Sequence, residues 1–356
     1  MLDIYAGPNA IQTIQQSGFK QELFSHFLGA SGGPKWFSLF GLDKYVFGEF
    51  FKDRKQTLNL VGSSAGAFRS ACFAQNDPVA AITKLATRYS ETDFAHDPSP
   101  QGLTRQAEQL LDYVLPDEAI KQILDNKVFK PHFIVAKSKG MASSENRYVQ
   151  GLGLAKGFVL NRLNRRFLSR QFERYVFGTN TSNLKIEDKQ GFDNYYVSLT
   201  KENLKPALLA SGAIPLVMAG VRNIPGATNG MFRDGGIIDY HFDIKLVGQH
   251  DGLTLYPHFN RAPKAGWFDK SLTRSVNANH YNNTVMLVPS ERFIQNLPYQ
   301  KIPDRTDFEK IPAEQRLTYW STVFNETDRL AQEFAELVQT QDLSKIKPLP
   351  FAPTEG

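Results

Sequence analysis

The sequence predicts an α/β protein built around a sheet of mostly parallel strands. Short apolar segments with the length of buried strands recur along the chain, and stretches with the helical spacing of apolar residues separate them. This alternation of strand and helix patterns is typical of a parallel sheet that is covered by helices. The strand-like segments are residues 23–28, 57–61, 132–136, 193–199, 253–257 and 284–289.

Length and composition predict one globular domain. Of the 356 residues, 41% are hydrophobic and 12% aromatic, and no internal repeat or low-complexity block interrupts the chain. A chain of this length can bury a large core. We therefore expect a single domain over residues 1–345, with a core at roughly 20–290, a helical insertion at 92–183, a C-terminal helix at 313–340 and a tail at 346–356.

Residues 62–66, with the sequence GSSAG, match the G-x-S-x-G pattern of a nucleophile elbow. A strand-like segment precedes the pattern and a helical pattern follows it, as an elbow requires. In such a turn the central Ser64 presents its hydroxyl at a helix N-terminus, and Gly62 and Gly66 permit close contact between strand and helix. Ser63 is the competing nucleophile, but it occupies an x position, so the pattern favours Ser64.

A glycine-rich turn lies upstream of the elbow. Gly32, Gly33 and Lys35 follow the strand-like segment 23–28, and apolar residues at helical spacing come after them. A turn of this kind presents backbone N–H groups to an anion. We expect the N–H groups of Gly32 and Gly33, together with that of Ala65, to stabilise a developing oxyanion. A plain turn is the alternative, since the phosphate-loop motif is missing from the sequence.

An aspartate followed by two glycines lies far downstream, at Asp234, Gly235 and Gly236. Without side chains on those glycines, the carboxylate can approach another backbone element closely. The alternative is an ordinary Asp-Gly turn. The preceding segment 207–215 has the pattern of a helix that ends in a turn.

Taken in order, these segments resemble the signatures of the patatin-like phospholipases. That family has a glycine-rich oxyanion loop, a G-x-S-x-G elbow, an A-S-x-A-x-P stretch (residues 210–215 here) and a D-G-[GA] loop (residues 234–236 here). The family's first loop often reads G-G-G-x-R-G, whereas this chain has Ser31, Lys35 and Trp36 at three of those positions, which leaves the number of oxyanion donors open. The resemblance implies a three-layer α/β/α sandwich and hydrolysis of acyl esters by a Ser–Asp dyad without histidine.

With this resemblance, Ser64 is the expected nucleophile and Asp234 the expected general base, and the reaction passes through an acyl-enzyme. A carboxylate with a pKa of about 4 is a poor base at neutral pH, so we expect a dry pocket that raises its pKa. Asp239 and Asp243 are alternative bases, but neither is followed by two glycines.

Two other interpretations stay open. A hydrolase with a Ser–Asp–His triad would use a histidine downstream of Ser64, and His241, His250, His258 and His280 are the candidates. A lipid-binding protein without catalysis could also keep the fold.

The expected partner is a phospholipid or another acyl-ester lipid. We expect no metal or other cofactor, since neither an H-E-x-x-H motif nor an EF-hand loop is present. The formal net charge of +5 permits attraction to anionic lipid, but no recognition motif indicates nucleic acid. Without a signal-peptide pattern or a run of about 18 apolar residues, we expect a cytoplasmic protein, either free or peripheral at membranes.

Residues 158–177 predict a basic amphipathic helix. Apolar residues recur there at three- and four-residue spacing, five arginines fill the gaps, and Glu173 is the single acid. The pattern fits a helix packed on the sheet, a helix at an anionic membrane surface, or a lid over the Ser64 cleft. The arginines are Arg162, Arg165, Arg166, Arg170 and Arg174.

Overall fold

The computed structural model describes residues 1–92, 97–180, 182–248 and 252–351. The strands in these ranges are β1 (Leu2–Ala6), β2 (Phe24–Gly29), β3 (Leu58–Ser63), β4 (Phe129–Ser138), β5 (Phe172–Gly178), β6 (Lys185–Glu187), β7 (Asn194–Ser198), β8 (Val221–Arg222), β9 (Met231–Asp234), β10 (Lys245–Val247), β11 (Leu253–Pro257), β12 (Thr284–Pro289) and β13 (Ile346–Pro348). The α-helices are α1 (Pro8–Ser17), α2 (Phe40–Tyr45), α3 (Ala65–Phe73), α4 (Pro78–Ser90), α5 (Pro100–Val114), α6 (Asp117–Asp125), α7 (Arg147–Leu163), α8 (Leu204–Gly212), α9 (Glu291–Gln295), α10 (Asp307–Lys310), α11 (Ala313–Glu326) and α12 (Asp328–Thr340).

The central sheet confirms the predicted fold class. Its order is β13-β1-β12-β11-β2-β3-β4-β5-β7, and β9 joins β4 and β8. The run from β12 through β11, β2 and β3 to β4 is parallel throughout, and helices cover both faces. The six predicted strand segments are confirmed as β2, β3, β4, β7, β11 and β12. The protein is therefore a three-layer α/β/α sandwich around a mostly parallel sheet.

Both ends of the described chain add strands to one edge of this sheet. β1 pairs antiparallel with β12, and β13 pairs parallel with β1. Hydrogen-bonded sheet therefore begins before residue 20, and the expected tail at 346–356 opens with a strand; its residues 352–356 lie outside the described ranges.

The segment expected as a helical insertion, residues 92–183, also supplies β4 and β5 to the sheet; its residues 93–96 and 181 lie outside the described ranges. The helix expected at 313–340 is divided into α11 and α12 at Thr327. The Thr327 hydroxyl accepts a hydrogen bond from the N–H of Gly41 at 2.9 Å. A Cβ atom on Gly41 would lie 2.3 Å from the Thr327 carbonyl oxygen, so the glycine permits this close contact.

The prediction of one helix over residues 158–177 is wrong. α7 ends at Leu163, and Asn164 is extended, with φ −159° and ψ 126°. The Asn164 side chain accepts a hydrogen bond from the N–H of Arg166 and so starts a separate 3₁₀-helix over Arg165–Arg170. The remaining residues form β5, at the side of β4 that faces away from β3.

Buried ion pairs explain why the helical pattern misleads. Arg165 donates to the buried Asp269 carboxylate at 3.0 Å. Arg174 lies inside the protein and binds both Asp239, at 2.6 Å, and Asp188. Arginine is rarely buried unless it is paired, and spacing alone does not distinguish a buried, paired arginine from an exposed one on a helix.

Candidate active site

Ser64 lies at a sharp turn between β3 and α3. Its backbone has φ 53° and ψ −125°, a strained conformation that is common at functional sites. The turn brings α3 against the sheet: a Cβ atom on Gly66 would lie 1.8 Å from the carbonyl oxygen of Gly29, and one on Gly62 would lie 2.3 Å from that of Gly66. Only glycine fits at these two positions, as the elbow pattern predicts.

Asp234 reaches Ser64 because β3 and β9 share one edge of β4. β3 runs parallel to β4 and ends with Ser63 opposite Ile134. β9 runs antiparallel to β4 and ends with Asp234 opposite Val135, the next residue. The two strands therefore meet end to end, and the residues at their ends are neighbours in space.

The Asp234 carboxylate has two hydrogen-bond donors. Ser64 Oγ donates to Oδ2 at 2.9 Å, and the N–H of Gly236 donates to Oδ1 at 2.7 Å. A Cβ atom on Gly235 would lie 2.2 Å from the carbonyl oxygen of Ile134, and one on Gly236 would lie 2.6 Å from Ser31 Oγ. The two glycines thus allow the aspartate loop to pack against the sheet, which fixes the carboxylate beside the serine.

Burial makes Asp234 a stronger base than an ordinary carboxylate. Desolvation raises the pKa of Asp234 from 3.8 to about 6, although the hydrogen bonds from Gly236 and Ser64 and the nearby Lys270 act in the opposite direction. A carboxylate with this pKa is still ionised at pH 7 and accepts a proton more readily than a solvated one. Asp234 is only 7% exposed, and this burial is the physical cause of the raised pKa.

Ser211 holds the elbow from the side. Its Oγ accepts a hydrogen bond from the N–H of Ser64 at 2.9 Å and donates to the carbonyl oxygen of Ile134 at 2.8 Å. Two residues later, the Ala213 carbonyl accepts from the N–H of Asp234 at 3.1 Å. The segment 210–215 therefore binds the backbones of both site residues, a role that the sequence motif alone does not reveal.

The expected oxyanion donors lie beside Ser64. Gly33 and Ala65 are each the first residue of a helix, so neither N–H has an acceptor within its own helix. Gly33 has φ +56°, in the left-handed region that favours glycine. Gly32, Gly33 and Ala65 line the same cavity as Ser64 and Asp234. The structure thus brings together the donors, the nucleophile candidate and the base candidate.

The comparison with protein families agrees with this geometry. The family model described as "Patatin-like phospholipase" matches residues 30–241, which is more than half of the chain. The chain belongs to the patatin-like phospholipase family. The matched range of this patatin-like protein contains the glycine-rich loop, the elbow and the aspartate loop. No curated protein matches the chain significantly.

Two solved structures resemble this patatin-like fold at low identity. One is the type III effector protein ExoU, with 16% identity, 87% of this chain and 53% of that chain covered, and a TM-score of 0.33. The other is VipD from Legionella pneumophila, with 12% identity, 87% and 67% coverage, and a TM-score of 0.36. The chain spans about half the length of ExoU.

Ser64 and Asp234 face a cavity of about 850 Å³. One part of its wall is apolar, which suits a hydrocarbon chain. The apolar residues include Phe68, Leu85, Leu103, Leu110, Leu209 and Met218.

Among the described helices of this patatin-like protein, none combines the length and the apolar character that crossing a bilayer would require.

Cations stand at another part of the cavity wall. Lys35, at the motif position where the family often has arginine, pairs with Asp304 at 2.9 Å. Lys270 lies over the ring of Tyr240 at 3.9 Å, and desolvation lowers the pKa of Lys270 to about 8. Within the described residues, neither Lys270 nor Arg305 has a carboxylate within 4 Å. Two cations without a carboxylate within 4 Å in the described ranges therefore face the same space as Ser64 and Asp234.

The competing candidates occupy other positions. Ser63 is fully buried, and its Oγ accepts from Ser31 Oγ at 3.0 Å. Asp239 pairs with Arg174, and Asp243 accepts from His280 Nδ1 at 2.8 Å. None of these groups lines the cavity.

Histidine does not complete a triad in the described ranges. His241 Nδ1 accepts from the N–H of Lys264 at 3.0 Å, and His258 Nδ1 accepts from that of Asn260 at 2.9 Å. No described histidine lines the cavity. His250 lies outside the described ranges. A metal site is also missing from the part of the chain that the structure describes, where no group of three metal-binding side chains occurs.

Proposed function

We propose that this chain is a lipid acyl hydrolase of the phospholipase A or lysophospholipase type, which cleaves carboxylic acyl esters through Ser64 and Asp234. The proposal rests above all on the 2.9 Å contact between Ser64 Oγ and the buried Asp234 carboxylate at the wall of the cavity. Membership of a phospholipase family supports a lipid ester as the substrate.

In the first half of the reaction, Ser64 Oγ attacks the ester carbonyl carbon while its proton passes to Asp234 Oδ2. The carbonyl oxygen becomes an oxyanion and accepts hydrogen bonds from backbone N–H groups of the loop at Gly32 and Gly33 and of Ala65. The bond to the alcohol oxygen then breaks, and that oxygen takes the proton from Asp234. Ser64 is left acylated and the alcohol fragment departs.

Water completes the cycle. It attacks the acyl carbon as Asp234 accepts one of its protons, and a second tetrahedral species forms at the same donors. The bond to Ser64 Oγ breaks, Oγ recovers the proton, and the free fatty acid leaves. A pKa of about 6 suits Asp234 to both directions of proton transfer near neutral pH.

The cations favour a lipid with a phosphate group. Lys270 and Arg305 face the cavity without a carboxylate partner in the described residues. The phosphate of a lipid headgroup would supply the anionic partner that both cations lack. With a pKa of about 8, Lys270 is mostly protonated at neutral pH. We therefore propose a phospholipid or lysophospholipid in preference to a neutral glyceride.

The test of the reaction is the release of fatty acid from phosphatidylcholine in detergent micelles. The wild type is expected to turn over, Ser64→Ala is expected to lose turnover, and Ser17→Ala, outside the cavity, is the control. Equal release by wild type and Ser64→Ala would contradict the proposal. Micelle binding by the wild type without any release would support a lipid-binding protein instead.

The test of the headgroup preference compares two substrates in one variant. Changing both Lys270 and Arg305 to methionine is expected to lower kcat/KM for phospholipid by at least about tenfold and to spare a diacylglycerol, since only the former carries the phosphate. The matched control changes Lys52 and Lys55, which are exposed and outside the cavity lining. An equal loss on both substrates would contradict the headgroup role.

A further inference from the structure

Helix α7 has one buried face and, opposite it, one exposed apolar face. Its inward face packs against the short helices that precede and follow it and against the one at Trp267–Asp269. The inward residues are Gln150, Gly153, Leu154, Gly157 and Asn161. The outward face, here called the α7 stripe, consists of Tyr148, Leu152, Ala155, Val159 and Leu163, all of which are exposed.

The α7 stripe is continuous. At roughly 100° for each helical residue, its five positions span an arc of about 80° opposite the inward face. The exposed fractions of its large side chains are 83% for Tyr148, 64% for Leu152, 57% for Val159 and 71% for Leu163. Single exposed apolar residues are ordinary on protein surfaces, but an aligned series of this kind marks an interaction surface.

The charges around the stripe are of one sign. At the same helical spacing, Lys156 and Arg162 flank it on opposite sides, and both are exposed. No acidic residue occurs between Asn146 and Phe172. The acidic residues at either end of this range form ion pairs: Glu145 pairs with Arg233, and Glu173 pairs with Lys137 and Lys139. An exposed apolar stripe between cations fits an anionic bilayer, where apolar side chains enter the interface and cations meet headgroups.

The stripe begins at Tyr148, beside residues of α7 that line the cavity of the proposed dyad. Arg147 and Gln150, in the first turn of α7, line that cavity. Gln150 Oε1 accepts a hydrogen bond from the N–H of Leu216 at 2.7 Å, and Leu216 is itself an exposed apolar residue at the cavity wall. A bilayer in contact with the start of the stripe would therefore lie close to this part of the cavity wall.

We propose that the α7 stripe is a docking surface for anionic membranes, which brings the cavity to its lipid substrate. This inference rests on the proposed lipid acyl hydrolase function and names the surface at which that substrate is met. It differs from the sequence-based hypothesis for residues 158–177, because two of those arginines, Arg165 and Arg174, are buried in ion pairs.

Vesicle binding tests the proposal independently of catalysis. Ser64→Ala is used throughout, so that lipid turnover does not alter the vesicles and failure of the proposed reaction does not affect the result. Phosphatidylcholine vesicles with and without phosphatidylglycerol are floated with protein. Binding is expected to require phosphatidylglycerol and to fall as salt rises.

A stripe variant that changes Leu152, Val159 and Leu163 to serine is expected to weaken this binding by at least about tenfold, because it removes most of the apolar contact. Its matched control changes two exposed apolar residues elsewhere, Tyr113 and Leu317, to serine and is expected to bind as before. A second version of the stripe variant keeps Ser64, so that its activity can be measured. It should hydrolyse a soluble short-chain ester at the wild-type rate, which also shows that the variant folds.

A charge variant, with Lys156 and Arg162 changed to glutamine, remains decisive if the stripe variant fails to fold. It is expected to lose the salt-sensitive part of vesicle binding. Unchanged vesicle binding in either folded variant would overturn the proposal. So would a wild-type dimer in solution that the stripe variant converts to a monomer, since the stripe would then be an interface between two copies of this chain.

Discussion

Replacing Asp234 by asparagine is expected to stabilise the fold while it removes catalysis. The pKa of Asp234 is about 6 in the folded protein against an ordinary value of 3.8. At about 1.36 kcal/mol for each pH unit, ionisation of the folded group lowers the free energy of unfolding by about 3 kcal/mol. Asparagine pays no such cost, and its amide can still accept from Gly236 and donate to Ser64 Oγ.

The sign of the effect fixes its pH dependence. At a pH below the pKa of Asp234 in the unfolded protein, the carboxyl group is protonated in both the folded and the unfolded protein. The wild type therefore loses no stability there. Because the folded pKa is raised, wild-type stability falls as pH rises from about 4 to about 6. The difference in unfolding free energy between Asp234→Asn and the wild type is therefore expected to grow from near zero at about pH 4 to about 3 kcal/mol above pH 6.

Urea unfolding at a series of pH values measures this difference, and ester hydrolysis on the same samples should show a loss of about 10² to 10⁴ in rate. Asp239→Asn is the matched control: it is the same chemical change at a buried aspartate, but it breaks the ion pair with Arg174 and should destabilise by about 3–5 kcal/mol. If Asp234→Asn has no higher free energy of unfolding than the wild type, or if the difference does not change with pH, Asp234 is not a desolvated base.

Three further outcomes are expected. The kcat/KM of the wild type should fall about tenfold for each pH unit below about 6, as Asp234 becomes protonated, and an activity that stays level down to about pH 4 would exclude it as the base. Ser211→Ala should lower both turnover and the free energy of unfolding, the latter by about 1–3 kcal/mol, because it leaves the buried N–H of Ser64 without an acceptor. An esterase assay and calorimetry measure the two effects. A variant with unchanged turnover and stability would show that the elbow does not need this contact. His241→Gln and His258→Gln should each keep turnover within about tenfold of wild type, and loss of all activity in either folded variant would favour a triad.

Much of the fold could be predicted because apolar strand segments and their alternation with helices are local features. The strands that were not predicted depend on contacts distant in sequence. β5 carries Arg174, whose charge is neutralised by Asp239 after the chain folds. β9 is only four residues long and is defined by pairing with β4 and β8. β1 and β13 form an edge that depends on both ends of the chain.

The resemblance to the patatin-like phospholipases predicts the pairing of Ser64 with Asp234. Glycines mark both positions in the sequence, and the close contacts of Gly62, Gly66 and Gly235 give the physical reason for those glycines. Other parts of the site have no local pattern. Lys270 and Arg305 lie 35 positions apart in the sequence, and only the fold places both at the wall of one cavity. Ser211 lies in a recognised motif, but its hydrogen bond to the elbow depends on where α8 packs on β4.

The α7 stripe shows the same limit at the surface. The sequence predicts basic and apolar residues near position 160, but it does not show where the helix ends. Asn164 terminates it, and the arginines that follow belong to buried ion pairs or to a separate short helix. Only the structure separates the exposed apolar face from the buried one.

Labelling with a fluorophosphonate probe tests the central claim most directly, because the probe reacts with an activated serine whatever the lipid substrate is. Wild-type protein is labelled, digested and mapped by mass spectrometry, with Ser64→Ala and Asp234→Asn in parallel. We predict one adduct, on Ser64, that is missing in Ser64→Ala and forms much more slowly in Asp234→Asn. An adduct on Ser63, or labelling that persists in Ser64→Ala, would contradict the claim that Ser64 is the nucleophile and Asp234 its base.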